Sequence, residues 1–213
     1  MFNNYHLDAI SVVVVSYLIG SIPTAYLIGR LKGINIFAIG SGNMGATNVQ
    51  RSLGSKWGLI VWGLDALKGI AAILLAQMLL PDSRALAATI AGVVGVIGHN
   101  WSLFATLITG RVRGGKGAAI SFGTMLMIAP LYVLVGVFII GGIVVARTRY
   151  VSLGVLVMAL VSTIWLLILI DQQRLAHEYI YYALGVTALV FYRHKENIQR
   201  LLAGTERRIG DHA

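Results

Sequence analysis

Three short segments of this 213-residue chain combine basic side chains with polar residues, and two of the three are also rich in glycine. They are residues 40–48 (GSGNMGATN), which Arg51 follows, residues 111–117 (RVRGGKG) and residues 193–200 (RHKENIQR). Glycine permits backbone conformations in which successive N–H groups point at one anion, and lysine and arginine add positive charge. The first two segments therefore have the residue types of phosphate-binding sites, and the third adds basic and polar side chains.

The first segment has the most regular pattern, with glycines at positions 40, 42 and 45. The side chains of Ser41, Asn43, Thr47 and Asn48 add neutral hydrogen-bond donors around Gly42. Arg51 follows one helical turn later and supplies charge. This spacing predicts a loop that binds phosphate, and the alternative is a glycine-rich turn that only connects two helices.

The second segment leads directly into an uncharged stretch that begins near residue 118. A helix N-terminus offers unpaired N–H groups and the positive end of the macrodipole, and Lys116 adds a mobile ammonium group. The glycines around this lysine are Gly114, Gly115 and Gly117. ATP hydrolysis is not expected, because a Walker A loop needs different spacing and a Ser or Thr after its lysine. A basic flank that orients the chain in a membrane is the alternative for Arg111 and Arg113.

The remaining polar candidates come in pairs that are three residues apart. His194 and Asn197 share a helical face, which could meet the other two segments, or else they belong to an ordinary helix end. Asp65 and Lys68 lie within an apolar stretch, either as a functional pair or as an ion pair that braces the helices. His99 is a packing residue or part of the site.

Several chemistries lack their residues. The chain has no cysteine, which excludes disulfides and thiolate nucleophiles. It has no His-Glu-x-x-His motif, so neither a metal nor another cofactor is expected. It also has no Gly-x-Ser-x-Gly nucleophile elbow, and no histidine is followed by aspartate five positions later. The last absence argues against the acyltransferases that use acyl-CoA or acyl carrier protein.

The elements that must position these residues are membrane helices. Only 12% of the residues are charged and 57% are hydrophobic, whereas soluble domains carry about 25% charged residues. A helix needs roughly 20 apolar residues to cross a bilayer. Residues 117–146 are uncharged but contain Pro130, which predicts a hairpin or a broken helix. The predicted fold is an all-α bundle forming one domain over residues 1–213, with passes at 9–29, 57–80, 85–108, 117–129, 131–146, 151–170 and 175–192.

The basic residues predict the orientation of this bundle. If the N-terminus lies outside, 14 of the 17 Lys and Arg residues fall on one side of the membrane. Basic connections mark the cytoplasmic side, so the net charge of +9 reflects topology and anionic small molecules rather than nucleic acid. We therefore expect seven passes, a cytoplasmic C-terminus and a site on the cytoplasmic side of the cytoplasmic membrane. The predicted cytoplasmic segments are 30–56, 109–116, 147–150 and 193–213.

In their order and combination, the three segments resemble the bacterial acyl-phosphate:glycerol-3-phosphate acyltransferases. The resemblance runs nearly from end to end, and it includes Asp65, Lys68 with Gly69, and the sequence YVSL at 150–153. It implies transfer of a fatty acyl group from a long-chain acyl phosphate to the 1-hydroxyl of glycerol 3-phosphate. The products would be lysophosphatidic acid and inorganic phosphate, in the first acylation step of phospholipid synthesis.

Motif matching assigns roles only through this resemblance. The catalytic residues that it implies are Ser41, Arg51, Lys116, His194 and Asn197. The residues that it implies for substrate phosphate are Gly42, Asn43, Thr47, Asn48, Gly114, Gly115, Gly117 and Ser152. Supporting roles near the site fall to Asp65, Lys68 and His99. One departure is that Ser102 stands where the family motif has proline, and a longer link then precedes Lys116.

An acyl phosphate is already activated, so such an enzyme has to align a hydroxyl with a carbonyl and stabilise an oxyanion, without a protein nucleophile. No general base is evident, and we hypothesise that a substrate phosphate, whose second pKa is about 6, accepts the hydroxyl proton. Glycerol 3-phosphate, acyl phosphate and membrane lipids are the expected partners. A small transporter or channel for a phosphorylated anion is the alternative, although transporters bind near the bilayer midplane.

Overall fold

The structure is a computed structural model that describes the backbone of residues 2–210 and the side chains of residues 6–210. This part of the chain is helical and contains no β-strand, apart from an isolated antiparallel bridge between Ser102 and Arg113. The prediction of an all-α fold is confirmed. The helices are α1 (Phe2–Gly20), α2 (Thr24–Leu31), α3 (Ala46–Leu53), α4 (Ser55–Leu79), α5 (Arg84–Asn100), α6 (Leu103–Thr109), α7 (Ala118–Ile128), α8 (Leu131–Thr148), α9 (Val151–Asp171), α10 (Tyr179–Arg193) and α11 (Lys195–Leu202).

Four helical segments in residues 2–210 are long and apolar enough to cross a membrane. They are His6–Leu31, Ser55–Leu79, Leu131–Thr148 and Val151–Asp171. The other apolar helices are shorter, because α5 has 17 residues, α10 has 15 and α7 has 11. At 1.5 Å per residue, α7 is about 16 Å long, roughly half the thickness of a bilayer core. The number of seven passes therefore stays a prediction.

The expected pass at 9–29 is not one continuous helix. Helix α1 ends at Gly20 and α2 begins at Thr24. Pro23 lies between them, and its ring and missing N–H group interrupt a helix. The carbonyl of Ile22, which lies in this break, accepts a hydrogen bond from Nζ of Lys68 at 3.0 Å. A charged side chain of α4 thus satisfies backbone that the interruption exposes.

The expected pass at 85–108 is also divided, into α5 and α6. Ser102 lies between them and caps α6, because its Oγ accepts a hydrogen bond from the N–H of Ala105 at 3.1 Å. The N–H of Ser102 donates to the carbonyl of Arg113 at 2.8 Å. Proline has no N–H group and could not make this bond. The serine at the motif's proline position and the longer link are therefore connected: the link forms α6 and returns to Ser102.

The other predicted boundaries fall close to the helix ends. Pro130 separates α7 from α8, so the predicted break in residues 117–146 is confirmed. Helices α4 and α9 each match their predicted passes at 57–80 and 151–170 within two residues. Helix α10 begins at Tyr179, four residues later than the predicted pass at 175–192.

The chain forms two compact units, and the boundary between them in the sequence lies between Met127 and Ile128. In the first unit, α1, α4 and α5 pack against one another and α3 packs against α4. In the second unit, α9 packs against α8, α10 and α11. The two glycine-rich segments belong to the first unit, whereas Ser152 and the segment at 193–200 belong to the second.

Candidate functional site

The first glycine-rich segment forms a loop that leads into α3. Gly40 and Gly42 both have a φ of 63°, a conformation that residues with a Cβ rarely adopt. Gly45 is the N-cap residue of α3. Met44, within the loop, is completely buried in a hydrophobic cluster that also contains Val49, and this packing holds the loop in place. The loop therefore has both the backbone freedom and the attachment that a preformed anion site needs.

The side chain of Asn48 determines the shape of this loop. Its Oδ1 accepts a hydrogen bond from the N–H of Ser41 at 3.0 Å. Its Nδ2 donates to the carbonyl oxygens of Ile36, Ile39 and Asn43 at 3.2, 3.1 and 3.0 Å. The side chain is buried, and all of these partners are backbone groups. Asn48 thus holds the loop in place, which agrees with a shaping role.

The polar groups around the loop differ in exposure. Ser41 and Arg51 are exposed, whereas Thr47 is half-buried at the start of α3. The Oδ1 atom of Asn43 is buried and has no hydrogen-bond partner within the described residues. The hydroxyl of Ser41 and the guanidinium of Arg51 are therefore the groups of this segment that a ligand can reach from solvent.

The second glycine-rich segment packs against the C-terminal end of α5. The N–H of Gly115 donates to the carbonyl of His99 at 2.8 Å. A Cβ on Gly115 would meet the imidazole of His99, with Cε1 and Cδ2 at 2.6 and 2.7 Å, so only glycine fits. A Cβ on Gly114 would similarly meet the backbone of Asn100. The half-buried Lys116 follows this tightly packed turn, and Gly117, with a φ of 84°, leads into α7 as predicted.

A buried polar cluster of Asp65, Lys68 and His99 adjoins this segment. Nζ of Lys68 lies 2.8 Å from Oδ1 of Asp65 and 2.9 Å from Nδ1 of His99. The hydroxyl of Thr24 donates to the same Oδ1 at 2.5 Å. Because an ammonium can only donate, Nδ1 of His99 accepts, and the proton of a neutral ring is on Nε2. The ion pair expected at Asp65 and Lys68 is present, and His99 connects it to Gly115.

The structure places beside these loops two residues that were not among the predicted site residues. The guanidinium of Arg113 lies over the ring of Phe37, with Cζ 5.4 Å from its centroid, and Nη1 would be 3.7 Å from a Cβ on Gly42. Arg113, which belongs to the second segment, thus lies beside the first loop. Asn100 is completely buried beside Gly117, and neither polar atom of its amide has a partner within residues 2–210. No residue pattern distinguishes either from a membrane-flanking arginine or a packed amide.

In the second unit, Ser152 and Asn197 both bind Glu206. The hydroxyl of Ser152 donates to Oε1 of Glu206 at 2.8 Å, and Nδ2 of Asn197 donates to the same oxygen at 2.6 Å. Nε of Arg200 donates to Oε2 at 2.7 Å. The three donors surround an anionic carboxylate, which is an arrangement that also suits phosphate oxygens. Glu206 was missed because it lies beyond the motif, in a tail that has no periodic pattern.

The carboxylate of Glu206 has a shifted pKa. Burial raises the pKa of this group, but the hydrogen bonds from Asn197, Ser152 and Arg200 and the charge of Arg200 outweigh that effect. The net pKa is therefore lower than the ordinary value. Glu206 remains an anion at neutral pH.

His194 is buried at the junction between α10 and α11 and is not inside a single helix. Its Nδ1 lies 2.8 Å from the carbonyl oxygen of Val190, and since a carbonyl only accepts, Nδ1 carries a proton. In the neutral ring, Nε2 is then the acceptor. Asn197 is also buried one turn later. Among the residues that the structure describes, no three His, Cys, Asp or Glu side chains form a group that could hold a metal ion.

Comparison with known proteins shows one consistent family. Residues 10–204 match the family model described as glycerol-3-phosphate acyltransferase. Glycerol-3-phosphate acyltransferase 2 of Moorella thermoacetica is 44% identical over 200 residues, covering 93% of this chain and 96% of that protein. The glycerol-3-phosphate acyltransferase of Halalkalibacterium halodurans is 41% identical, covering 93% of this chain and 94% of the relative.

Two crystal structures show the same similarity in three dimensions. The glycerol 3-phosphate form of PlsY (YgiH), an integral membrane glycerol 3-phosphate acyltransferase, has a TM-score of 0.83 and 35% identity, and the match covers 95% of this chain and 96% of that one. The lysophosphatidic acid form has a TM-score of 0.82 and the same identity, covering 95% of each chain. The chain therefore belongs to the glycerol-3-phosphate acyltransferase family.

Proposed function

We propose that this chain transfers a fatty acyl group from acyl phosphate to the 1-hydroxyl of glycerol 3-phosphate. Relatives at 44% and 41% identity have this acceptor in their names, and the similar crystal structures contain glycerol 3-phosphate or lysophosphatidic acid. The observation that carries the proposal is the pair of glycine-rich loops in the first unit. Arg51 and Lys116 accompany these loops, and Arg113 connects them. Both substrates have a phosphate group that such loops can bind.

The reaction forms one bond and breaks one. The 1-hydroxyl oxygen of glycerol 3-phosphate attacks the carbonyl carbon of acyl phosphate and forms the ester bond. The bond between that carbon and the phosphate oxygen breaks, and inorganic phosphate leaves with the electron pair. The hydroxyl proton goes to a phosphate oxygen, so the products are lysophosphatidic acid and phosphate. The protein need not form a covalent intermediate, because the donor is already activated.

The proposed roles follow from charge and hydrogen-bonding capacity. Arg51 and Lys116 bind phosphate as cations, and Ser41, His194 and Asn197 bind as polar ligands. The N–H groups of Gly114 and Gly117 complete the binding surface. The N–H groups of Gly42 and Gly115 already donate to the carbonyls of Ile39 and His99, so these two glycines, with Asn43, Thr47, Asn48 and Ser152, shape the surface. The cluster of Asp65, Lys68 and His99 positions Lys116, because His99 contacts Gly115 directly.

The proton acceptor is proposed to be a substrate phosphate, whose second pKa is about 6. The protein side chain to compare with the phosphate in this role is His194, whose Nδ1 donates to the carbonyl of Val190. A His194→Ala variant distinguishes the two. If it binds both substrates normally but loses all turnover, the phosphate is not the acceptor. Turnover that falls together with substrate affinity supports a binding role for the histidine.

We further propose that the whole chain acts as one catalytic domain in the bacterial cytoplasmic membrane. The proposed topology has seven passes, an outside N-terminus and a cytoplasmic C-terminus, with catalysis on the cytoplasmic side. The bias of 14 among 17 basic residues supports this orientation. Acyl phosphate and membrane lipids are the proposed lipid partners, because the exposed apolar faces of the helices suit acyl chains.

The test is an assay of the purified full chain with palmitoyl phosphate and labelled glycerol 3-phosphate. Formation of labelled lysophosphatidic acid is expected, and palmitoyl-CoA as the sole donor should give none. A Lys116→Ala variant should lose most turnover, whereas Arg147→Ala, which removes an exposed charge at the end of α8, should retain it. Absence of product from protein that is shown to be folded would refute the proposal.

A further inference from the structure

A cavity of about 480 Å³ lies in the first unit, apart from the residues proposed for catalysis. Arg30, Arg111 and Arg113 line it from two different parts of the chain, and Tyr26 and Phe37 are among its other lining residues. Its volume is within the range of small-molecule sites. Arg111 belongs to the longer link before Lys116, so the departure from the family motif helps to build this cavity.

Among the side chains of residues 6–210, none forms an ion pair or a hydrogen bond with the guanidinium groups of Arg30, Arg111 or Arg113. In Arg111 and Arg113, the hydroxyls of Thr106 and Thr109 bind only backbone atoms. Nε of Arg113 is buried and has no hydrogen-bond partner within the described residues, and the guanidinium lies over the ring of Phe37, with Cζ 5.4 Å from its centroid. A buried donor without a partner is costly, and three like charges around one cavity repel each other. An anion that binds in the cavity lowers the repulsion, because it neutralises part of this positive charge.

Neutral groups supply further hydrogen-bond donors to the cavity. Oδ1 of Asn35 accepts a hydrogen bond from the N–H of Phe37 at 3.1 Å, which leaves Nδ2 as a donor toward other groups. Tyr26, whose ring stacks on Phe37 at 5.7 Å, contributes a phenolic hydroxyl. Guanidinium groups match phosphate oxygens in pairs of parallel hydrogen bonds. The donor set therefore suits a compact oxyanion with several acceptor oxygens.

Exposed apolar side chains flank the arginines. Leu31 follows Arg30 and is 79% exposed, and Val112 lies between the other two arginines and is 70% exposed. Leu107 on α6 is 72% exposed and adjoins Ile108, which lines the cavity. Leu107 belongs to the predicted pass at 85–108, and Leu31 and Val112 lie in predicted cytoplasmic segments that directly adjoin passes, so the three side chains lie where the membrane surface is expected. A ligand with a phosphate head and an acyl chain would match both features.

We propose that this cavity is a second binding site for a phosphate monoester, separate from the site of acyl transfer. A monoester is close to a dianion at neutral pH, so it can neutralise two of the three arginines, whereas a diester carries a single charge. Lysophosphatidic acid and glycerol 3-phosphate share this group. The site would hold product or substrate beside the catalytic loops, with Arg113 contacting both the cavity and Gly42.

The experiment counts bound ligand on the full chain in detergent micelles. One arm measures labelled glycerol 3-phosphate by equilibrium dialysis, and the other counts bound lysophosphatidic acid by native mass spectrometry. Glycerol and phosphatidylcholine are the ligand controls. Wild type is compared with Arg30→Gln/Arg111→Gln and with Arg147→Gln/Arg207→Gln, which removes two exposed charges outside the cavity. The thermal midpoint and the turnover number at saturating substrates show whether each variant is folded.

Wild type and the control variant are expected to bind two equivalents in at least one arm. The cavity variant should bind one, with affinity for the second weakened at least about tenfold per arginine. Its turnover number should stay within about twofold of wild type, so that this result is independent of the proposed reaction. The lipid arm alone identifies a headgroup site, and the dialysis arm identifies a site for free phosphate. One equivalent in wild type in both arms, or equal binding by all three proteins, overturns the proposal.

Discussion

Nδ2 of Asn197 donates a hydrogen bond to Oε1 of Glu206 over 2.6 Å, so a side chain that is implied to bind phosphate already binds an anionic oxygen of its own chain. Ser152 donates to the same oxygen at 2.8 Å. A hydroxyl has a single hydrogen, so Ser152 cannot donate to Glu206 and to a substrate at once, whereas the amide nitrogen of Asn197 has a second hydrogen. The hydrogen bond to Glu206 therefore favours a shaping role for Ser152.

Replacing Glu206 by glutamine should destabilise the second unit. The change keeps the size of the side chain but removes the charge that Arg200 and Asn197 bind. We expect a loss of about 1–2 kcal/mol in the free energy of unfolding, since Arg200 is partly exposed. Thermal unfolding in detergent measures it. Glu196→Gln, an exposed position on α11, should change stability by less than about 0.5 kcal/mol, and equal losses in the two variants would contradict the assignment.

The same carboxylate should make stability depend on pH. The pKa of Glu206 is lower in the folded chain than its ordinary value of 4.5, so its contribution is present above pH 4.5 and is lost as the pH falls through the folded value. The thermal midpoint of wild type should decrease as the pH is lowered through that acidic range. The difference between wild type and Glu206→Gln should shrink over the same range, and a difference that stays constant at every pH below 4.5 at which wild type still folds would argue against this role.

Substituting Gly115 by alanine should impair catalysis more than folding. The new Cβ would collide with the ring of His99, so the ring or the segment around Lys116 must shift. We expect turnover to fall by at least about 100-fold, because a displacement of roughly 1 Å has this effect on a positioned group. Gly142→Ala on α8, where a Cβ meets nothing within 4 Å, is the control and should remain fully active. Similar activity in both variants would refute the steric argument.

The buried pair of Asp65 and Lys68 should show strong coupling. Lys68→Met leaves a buried carboxylate without its cation, and we expect a loss of about 3–5 kcal/mol. The variant Asp65→Leu/Lys68→Met removes both charges and should lose clearly less than the sum of the single variants. A double-mutant cycle of thermal stability measures this coupling. Additive losses would mean that the two side chains act independently.

The topology can be tested directly because the wild-type chain has no cysteine. Single cysteines at Asp82 and Arg207, both exposed, should label oppositely with a membrane-impermeant maleimide in right-side-out vesicles. Asp82→Cys should react at once, and Arg207→Cys only after permeabilisation. The reverse pattern would place the C-terminus outside and overturn the proposed orientation.

The sequence predicted best those elements that depend on local composition. Helices α4 and α9 lie within two residues of the predicted passes, because apolar segments of this length form helices in lipid whatever they contact. The break at Pro130 was predicted for the same local reason. The break at Ser102 was not, since it depends on a hydrogen bond to Arg113, eleven positions away. The glycine positions and basic residues likewise predicted both loops, but they did not predict which side chains each loop contacts.

The sequence by itself determined the helical class, the two glycine-rich loops and the cations that accompany them, because composition and spacing set hydrophobicity, backbone freedom and charge. Only the tertiary structure decided that Asn48 faces its own loop, that His99 joins Lys68, and that Glu206 binds Asn197. Each of these choices depends on which buried polar group lies within hydrogen-bond distance. In a buried, low-dielectric interior that distance decides whether a polar side chain supports the site or remains available to a substrate.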